Sequence, residues 1–153
     1  MRSIEIKVME VSNLNELDFS DRDLLSSALQ AASGAYAPYS HFQVGAAVRL
    51  SNGTVVTGNN QENAAYPSGL CAERTALFFA QSQYPNLAVV AIAITAISNG
   101  AQTSDPVYPC GACRQVMLEA QKRGGEPLRI VMGGSQKIYI VKRIEDLLPL
   151  AFV

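Results

Sequence analysis

Two short stretches of this chain must be brought together for either to make chemical sense. Cys71-Ala72-Glu73-Arg74 leads into an apolar run, and Pro109-Cys110-Gly111-Ala112-Cys113 leads into another some forty residues on. Each reads as the start of a helix. Three cysteines and one acid can therefore meet at a point only if the fold makes two helix N-termini converge, a demand that excludes most arrangements of the intervening elements.

Cysteines at i and i+3 of a helix start share one face, so Cys110 and Cys113 can take two tetrahedral positions on one ion, with Cys71 supplying a third. Three protein ligands leave the fourth position for water, which marks a catalytic zinc rather than a structural one. Glu73 lies two residues from Cys71, a spacing that would separate the side chains in mid-helix. In the first turn both can lean over the helix end, where a carboxylate can act as general base and later hand its proton to a leaving amine. Three thiolates around a dication leave one negative charge to offset. Converging helix N-termini with free backbone N–H groups supply part of that offset. Arg74 and Arg114, each beside a site residue, are candidates for a guanidinium bonded to the thiolates. A structural zinc would want a fourth ligand, and the only histidine, His41, has no partner spacing and reads as a solvent-facing loop residue. A redox dithiol at Cys110 and Cys113 would leave Cys71-Ala72-Glu73 unexplained.

Around these stretches the elements alternate. Ile4, Ile6 and Val8 alternate with Glu5 and Lys7 as a short strand or ordered arm. Ser20 with Asp23 reads as an N-cap and its acid, which predicts a helix from near Asp21 to near Gly34. Pro38 turns the chain. Strands are expected over Phe42 to Leu50 and Thr54 to Gly58, joined at Asn52-Gly53, a hairpin signal. A polar loop from Asn59 to Leu70 delivers the chain to a second helix from Cys71 to about Gln83, with Phe78 and Phe79 expected in the core. Leu87 to Ile97 reads as a buried central strand, and Ser98 to Tyr108 as a long polar loop. A third helix closes at Gly124-Gly125. Strands over Leu128 to Met132 and Lys137 to Val141 follow, then one helical turn within Ile144 to Leu148. The order predicts an α/β fold: three layers, α/β/α, with a mixed sheet of about five strands.

A chain of 153 residues suits one domain with a real core. Its formal net charge of −1, with no lysine or arginine cluster, lacks the phosphate-neutralising stripe of a nucleic-acid binder and favours a small substrate. The longest apolar stretch is too short to span a bilayer and the first residues resemble no secretory signal, so no membrane partner and a cytoplasmic location are expected. An odd cysteine count argues against a disulfide framework and suits metal binding in a reducing compartment.

The motifs, a ligand-x-Glu followed by Pro-Cys-x-x-Cys, match the pattern of zinc deaminases acting on nucleobases. More narrowly the chain resembles the small homotetrameric cytidine deaminases, from about Ser20 to Phe152, most densely over Ala35 to Ala47, Asn60 to Leu77 and Pro109 to Val116. The resemblance implies one zinc ion per chain on Cys71, Cys110 and Cys113, with Glu73 as proton shuttle. It implies that the Ala72 backbone N–H holds the pyrimidine 2-oxygen, that Asn60 and Glu62 bind the ribose hydroxyl and that Phe42 packs against the base. Gln115 would stand behind the ligands. Tyr66 and Phe152 match positions donated into a neighbouring subunit's site, making a homotetramer part of catalysis. The implied reaction is hydrolysis of cytidine or 2′-deoxycytidine to uridine or 2′-deoxyuridine and ammonia, in pyrimidine salvage. Residues 1–17 would be an N-terminal extension and 18–153 a single catalytic domain. A deaminase of another aminated heterocycle, such as blasticidin S or a free base, and a zinc-stabilised binding module without turnover stay open beside it.

Overall fold

The computed structural model describes all 153 residues. Strand β1 (Met9–Val11) is followed by helix α1 (Phe19–Ala32), the hairpin β2 (Phe42–Leu50) and β3 (Val55–Asn59), and helix α2 (Ala72–Gln83). Strands β4 (Val89–Ser98) and β5 (Ala101–Gln102), helix α3 (Gly111–Gly124) and the pair β6 (Arg129–Gly133) and β7 (Ile138–Val141) complete the order. All strands join one mixed sheet in the order β1-β7-β6-β4-β2-β3, with β5 also paired to β4. Among paired strands only β4 and β6 run parallel, joined by the crossover helix α3; α2 likewise returns the chain between β3 and β4, but β2 lies between those two strands.

The sheet has seven strands where about five were expected. The two additions are short and polar in part: β1 extends β7 antiparallel, and Ala101–Gln102 folds back on the end of β4 inside the stretch read as loop. The N-terminal strand also lies later than expected. Ile4, Ile6 and Val8 remain exposed, and pairing begins only at Met9, opposite Ile140. Helix α1 starts two residues before its predicted start because Asp18, not Ser20, is the cap, its carboxylate accepting the Asp21 N–H at 2.8 Å. The Ser20 hydroxyl instead accepts from the Arg49 guanidinium.

Alternation along the strands divides the core into two layers. Ala46, Val48, Ile92, Ile94, Ile130 and Met132 face α2 and α3. Ala47, Ala91, Ala93 and Val131 face Leu24, Leu25 and Ala28 of α1. Both helix layers lie close because glycine admits them. A Cβ on Gly45 would come within 1.9 Å of the Ala28 carbonyl oxygen, and one on Gly58 within 2.6 Å of the Ala76 nitrogen, so α1 and α2 rest directly on strand backbone. Helix α3 ends at Gly125, whose φ of 71° is the left-handed cap expected there. No helix is long and apolar enough to cross a membrane.

One ion pair ties α1 to the sheet. Arg129 of β6 donates Nε to both oxygens of Asp21 at 2.9 Å, and Asp21 is 2% exposed. Arg129→Ala strands that carboxylate in the core. The expected cost is about 3 kcal/mol, at the low end for a broken buried pair because the arginine is partly exposed. That corresponds to a fall in Tm of roughly 6–12 °C for a domain of this size, to be read by thermal denaturation.

Candidate active site

The loop between β3 and α2 and the loop between β5 and α3 both end at a cysteine in extended conformation that caps the following helix. Cys71 (φ −68°, ψ 153°) precedes α2 and Cys110 (φ −66°, ψ 167°) precedes α3. Cys113 lies within the first turn of α3, where its N–H donates to the Cys110 sulfur at 3.5 Å. The three sulfurs lie within 4.8 Å of one another, and Cys71 and Cys110 are 3.9 Å apart. Tetrahedral thiolates at a Zn–S distance of about 2.3 Å would stand about 3.8 Å apart. The donor set therefore fits zinc with little movement, and neither a histidine nor a fourth cysteine joins the cluster.

Electrostatics favour ionised sulfur at this point. Hydrogen bonding with Cys113 and the guanidinium of Arg74, whose Nη2 donates to the Cys71 sulfur at 3.5 Å, pull the Cys71 thiol down to about 5. The same shared proton, together with burial, pushes Cys113 up. A dication bound here would favour the ionised form of its thiol ligands. The Arg74 Nε is buried without an acceptor, a costly state beside neutral groups but a favourable one beside a negatively charged ligand set.

Arg114, the other candidate for a thiolate partner, is placed elsewhere. Its Nε donates to the Pro109 carbonyl at 2.9 Å and its Nη1 to Leu147 at 2.7 Å, so it braces the loop that delivers Cys110 rather than the sulfur itself. Gln115 donates to the Phe152 carbonyl at 3.0 Å, tying the C-terminal tail to α3.

Glu73 occupies the first turn of α2 and is 4% exposed. Burial, and to a lesser extent the negative Cys71, raise its carboxyl to about 7. Ala72 beside it is fully buried. Its N–H belongs to the first helical turn, whose donors have no intrahelical acceptor, and Cys71 offers no side-chain cap.

A cleft of about 450 Å³ opens beside the cluster, lined by Tyr39, Ser40, Asn60, Glu62, Tyr66 and Cys71 among others, a volume suited to a small molecule. Asn60 accepts the Val44 N–H at 2.7 Å and donates to the Phe42 carbonyl at 2.9 Å. Glu62 accepts from the Tyr39 and Ser40 N–H groups and from the Ser40 hydroxyl. Both are thus held by β2 and its approach, with part of their polar capacity still free. Phe42 is half-buried at the start of β2. Tyr66 and Phe152 are 81% and 83% exposed, so within one chain neither ring closes the cleft. Tyr39 and Ser40, read only as turn residues in the sequence, also line it. The one hint was their place immediately before His41-Phe42.

The family described as the cytidine and deoxycytidylate deaminase zinc-binding region matches residues 19–124, which contain every residue of the cluster. The chain belongs to the cytidine deaminase family. It is thereby a zinc-dependent cytidine deaminase, and the relatives that follow match 84–89% of its length. A cytidine deaminase of Halalkalibacterium halodurans is 46% identical over 129 residues, covering 84% of this chain and 91% of the relative. Among solved structures, the cytidine deaminase of Burkholderia pseudomallei superposes with a TM-score of 0.72 at 41% identity, over 85% of this chain and 97% of that one. That of Mycobacterium tuberculosis does so at 0.68 and 38% identity, over 89% and 99%. The mixed α/β architecture is therefore that of cytidine deaminases.

Proposed function

We propose that the chain hydrolytically deaminates cytidine and 2′-deoxycytidine, with one zinc ion held by Cys71, Cys110 and Cys113. One observation carries the reading: a carboxyl buried to 4% exposure lies in the first turn of the helix that opens at one of three converging thiols. Bound there, zinc supplies a Lewis acid that brings the pKa of water toward 7. Glu73 takes a proton from the attacking water and delivers it to the amino nitrogen leaving C4, work suited to a buried carboxyl whose pKa burial raises. The Ala72 N–H donates to the pyrimidine 2-oxygen, aided by the positive end of α2. Phe42 packs the base, and Asn60 and Glu62 offer their remaining acceptor and donor capacity to the sugar hydroxyls. Arg74 offsets the charge of the thiolates.

The catalytic domain is assigned to residues 18–153, with 1–17 as an extension. A homotetramer with shared sites is supported by aromatic rings that one chain leaves in water. Tyr66 and Phe152 are the two noted above. Phe78 and Phe79, expected in the core, are 47% and 56% exposed on the outer side of α2, because the inward positions of that helix are filled by Ala72, Ala76, Leu77 and Ala80. Burying such rings between subunits removes their apolar area from water. Three free thiols suit the reducing cytoplasm, and deamination of free nucleosides there would serve pyrimidine salvage.

The test is the fall in ultraviolet absorbance with cytidine, 2′-deoxycytidine, cytosine and blasticidin S in parallel, beside zinc quantification and light scattering. Turnover of the two nucleosides by a tetramer with about one zinc per chain, as the three-ligand site predicts, is the expected result. Turnover of blasticidin S or cytosine alone would overturn the substrate assignment, and a fully active monomer would overturn the shared site.

A further inference from the structure

The cleft holds a device that the proposed reaction does not yet use. Ser40 lies between two of its walls: its hydroxyl donates to Glu62 Oε2 at 2.5 Å and accepts the Phe42 N–H at 3.1 Å. The Ser40 and Tyr39 N–H groups donate to the other oxygen, Oε1, at 3.1 and 3.0 Å. The next residue, His41, adopts φ 55°, a left-handed conformation uncommon outside glycine, and its N–H is pinned to the Ala37 carbonyl at 3.0 Å. This bend allows one serine to reach backward to the loop carrying Glu62 and forward to the first residue of β2. Asn60 holds the opposite side of the same residue by donating to the Phe42 carbonyl.

We propose that Ser40 is a positioning residue for sugar recognition, orienting the Glu62 carboxylate so that its remaining acceptor site points into the cleft. A carboxylate has about four lone-pair positions, and three are taken by Tyr39 and Ser40. The orientation of the fourth is therefore set before a ligand arrives, and a hydroxyl donor meets it without reorganisation. The Ser40 hydroxyl is also the first cause of the lowered pKa of Glu62. The inference rests on the reading that Glu62 meets a sugar hydroxyl.

The test compares cytidine with 2′,3′-dideoxycytidine, which lacks the hydroxyls, on the zinc-loaded protein. Ser40→Ala should raise KM for cytidine roughly tenfold, as loss of a hydrogen bond to a charged group implies, with kcat kept and KM for the dideoxynucleoside little changed. Ser40→Thr should restore the cytidine value. Equal rises for both substrates, or a Ser40→Thr variant that melts like the parent and stays impaired, would overturn the role. Should Ser40→Ala fail to fold, Ser40→Cys keeps the volume and weakens the donor, and the same comparison applies. Glu62→Gln separates the two ideas. If it retains the preference for cytidine, the sugar reading itself fails; if it erases the preference while Ser40→Ala preserves it, only the Ser40 role fails.

Discussion

Replacing Glu73 with glutamine is expected to lower kcat on cytidine by about 10²- to 10⁴-fold, the usual contribution of a positioned acid–base group, while zinc per chain stays at the parental level. Glutamine keeps the volume of the buried side chain and replaces its titratable carboxyl with a neutral amide, so the metal ligands have no steric reason to move. Absorbance kinetics and metal analysis on the same preparation read both outcomes, and a variant retaining parental turnover would end the proton-shuttle assignment. The substitution also has a pH signature in metal-free protein. Folding raises the Glu73 carboxyl from 4.5 to about 7, so the folded state keeps a proton that the unfolded chain releases, and stability falls as pH rises through that window. Cys71 acts oppositely: its thiol drops from 9.0 to about 5, so stability rises with pH between those values. In the parent the two slopes oppose each other between about 5 and 7. Metal-free Glu73→Gln should therefore show a rise in stability with pH across that interval that the parent lacks, measured by urea denaturation at a series of pH values.

Cys113→Ala is expected to abolish zinc binding and turnover together. The residue is fully buried against the α2–α3 core, so alanine is sterically tolerable there and the loss is chiefly that of one of three ligands. Loss of a direct ligand should exceed the 10- to 100-fold fall in affinity that accompanies changes to groups behind the ligands. Because binding to the folded state alone stabilises by mass action, added zinc should raise the Tm of the parent and leave that of Cys113→Ala unmoved. Parental zinc content in the variant would exclude Cys113 as a ligand.

The elements that proved readable were those whose signals are local. Asn52-Gly53 between two apolar runs gave its hairpin, Gly125 gave its left-handed cap, and Cys71 and Cys110 fell at the two helix starts where their spacing put them. Elements that depend on a distant partner were harder to see. The strand at Met9–Val11 exists because β7 presents an unpaired edge, and Ala101–Gln102 because the end of β4 does. Met9-Glu10-Val11 is too short an alternation to pair without that edge, and Ala101-Gln102 has none. Asp18 outcompeted Ser20 as a cap because Arg49, distant in sequence, engages the serine hydroxyl. Phe78 and Phe79 looked like core because composition marks them so, yet the inward face of α2 was already filled by small residues that let it lie against Gly58.

The same division runs through the site. By itself the sequence determined the chemistry on offer: three sulfur ligands, one carboxyl and two helix ends, because ligand type and spacing within a turn are properties of a few consecutive residues. Only the tertiary structure decided how those groups are tuned and which neighbours serve them. It turned Arg74 toward sulfur and Arg114 toward two carbonyls, although both stand beside a ligand or its neighbour in sequence. It buried Glu73 far enough to bring its carboxyl near 7, and it set Ser40 between Glu62 and Phe42. Direction, burial and hydrogen-bond partner depend on what packs around a side chain, and that is settled only when the sheet has brought distant parts of the chain together.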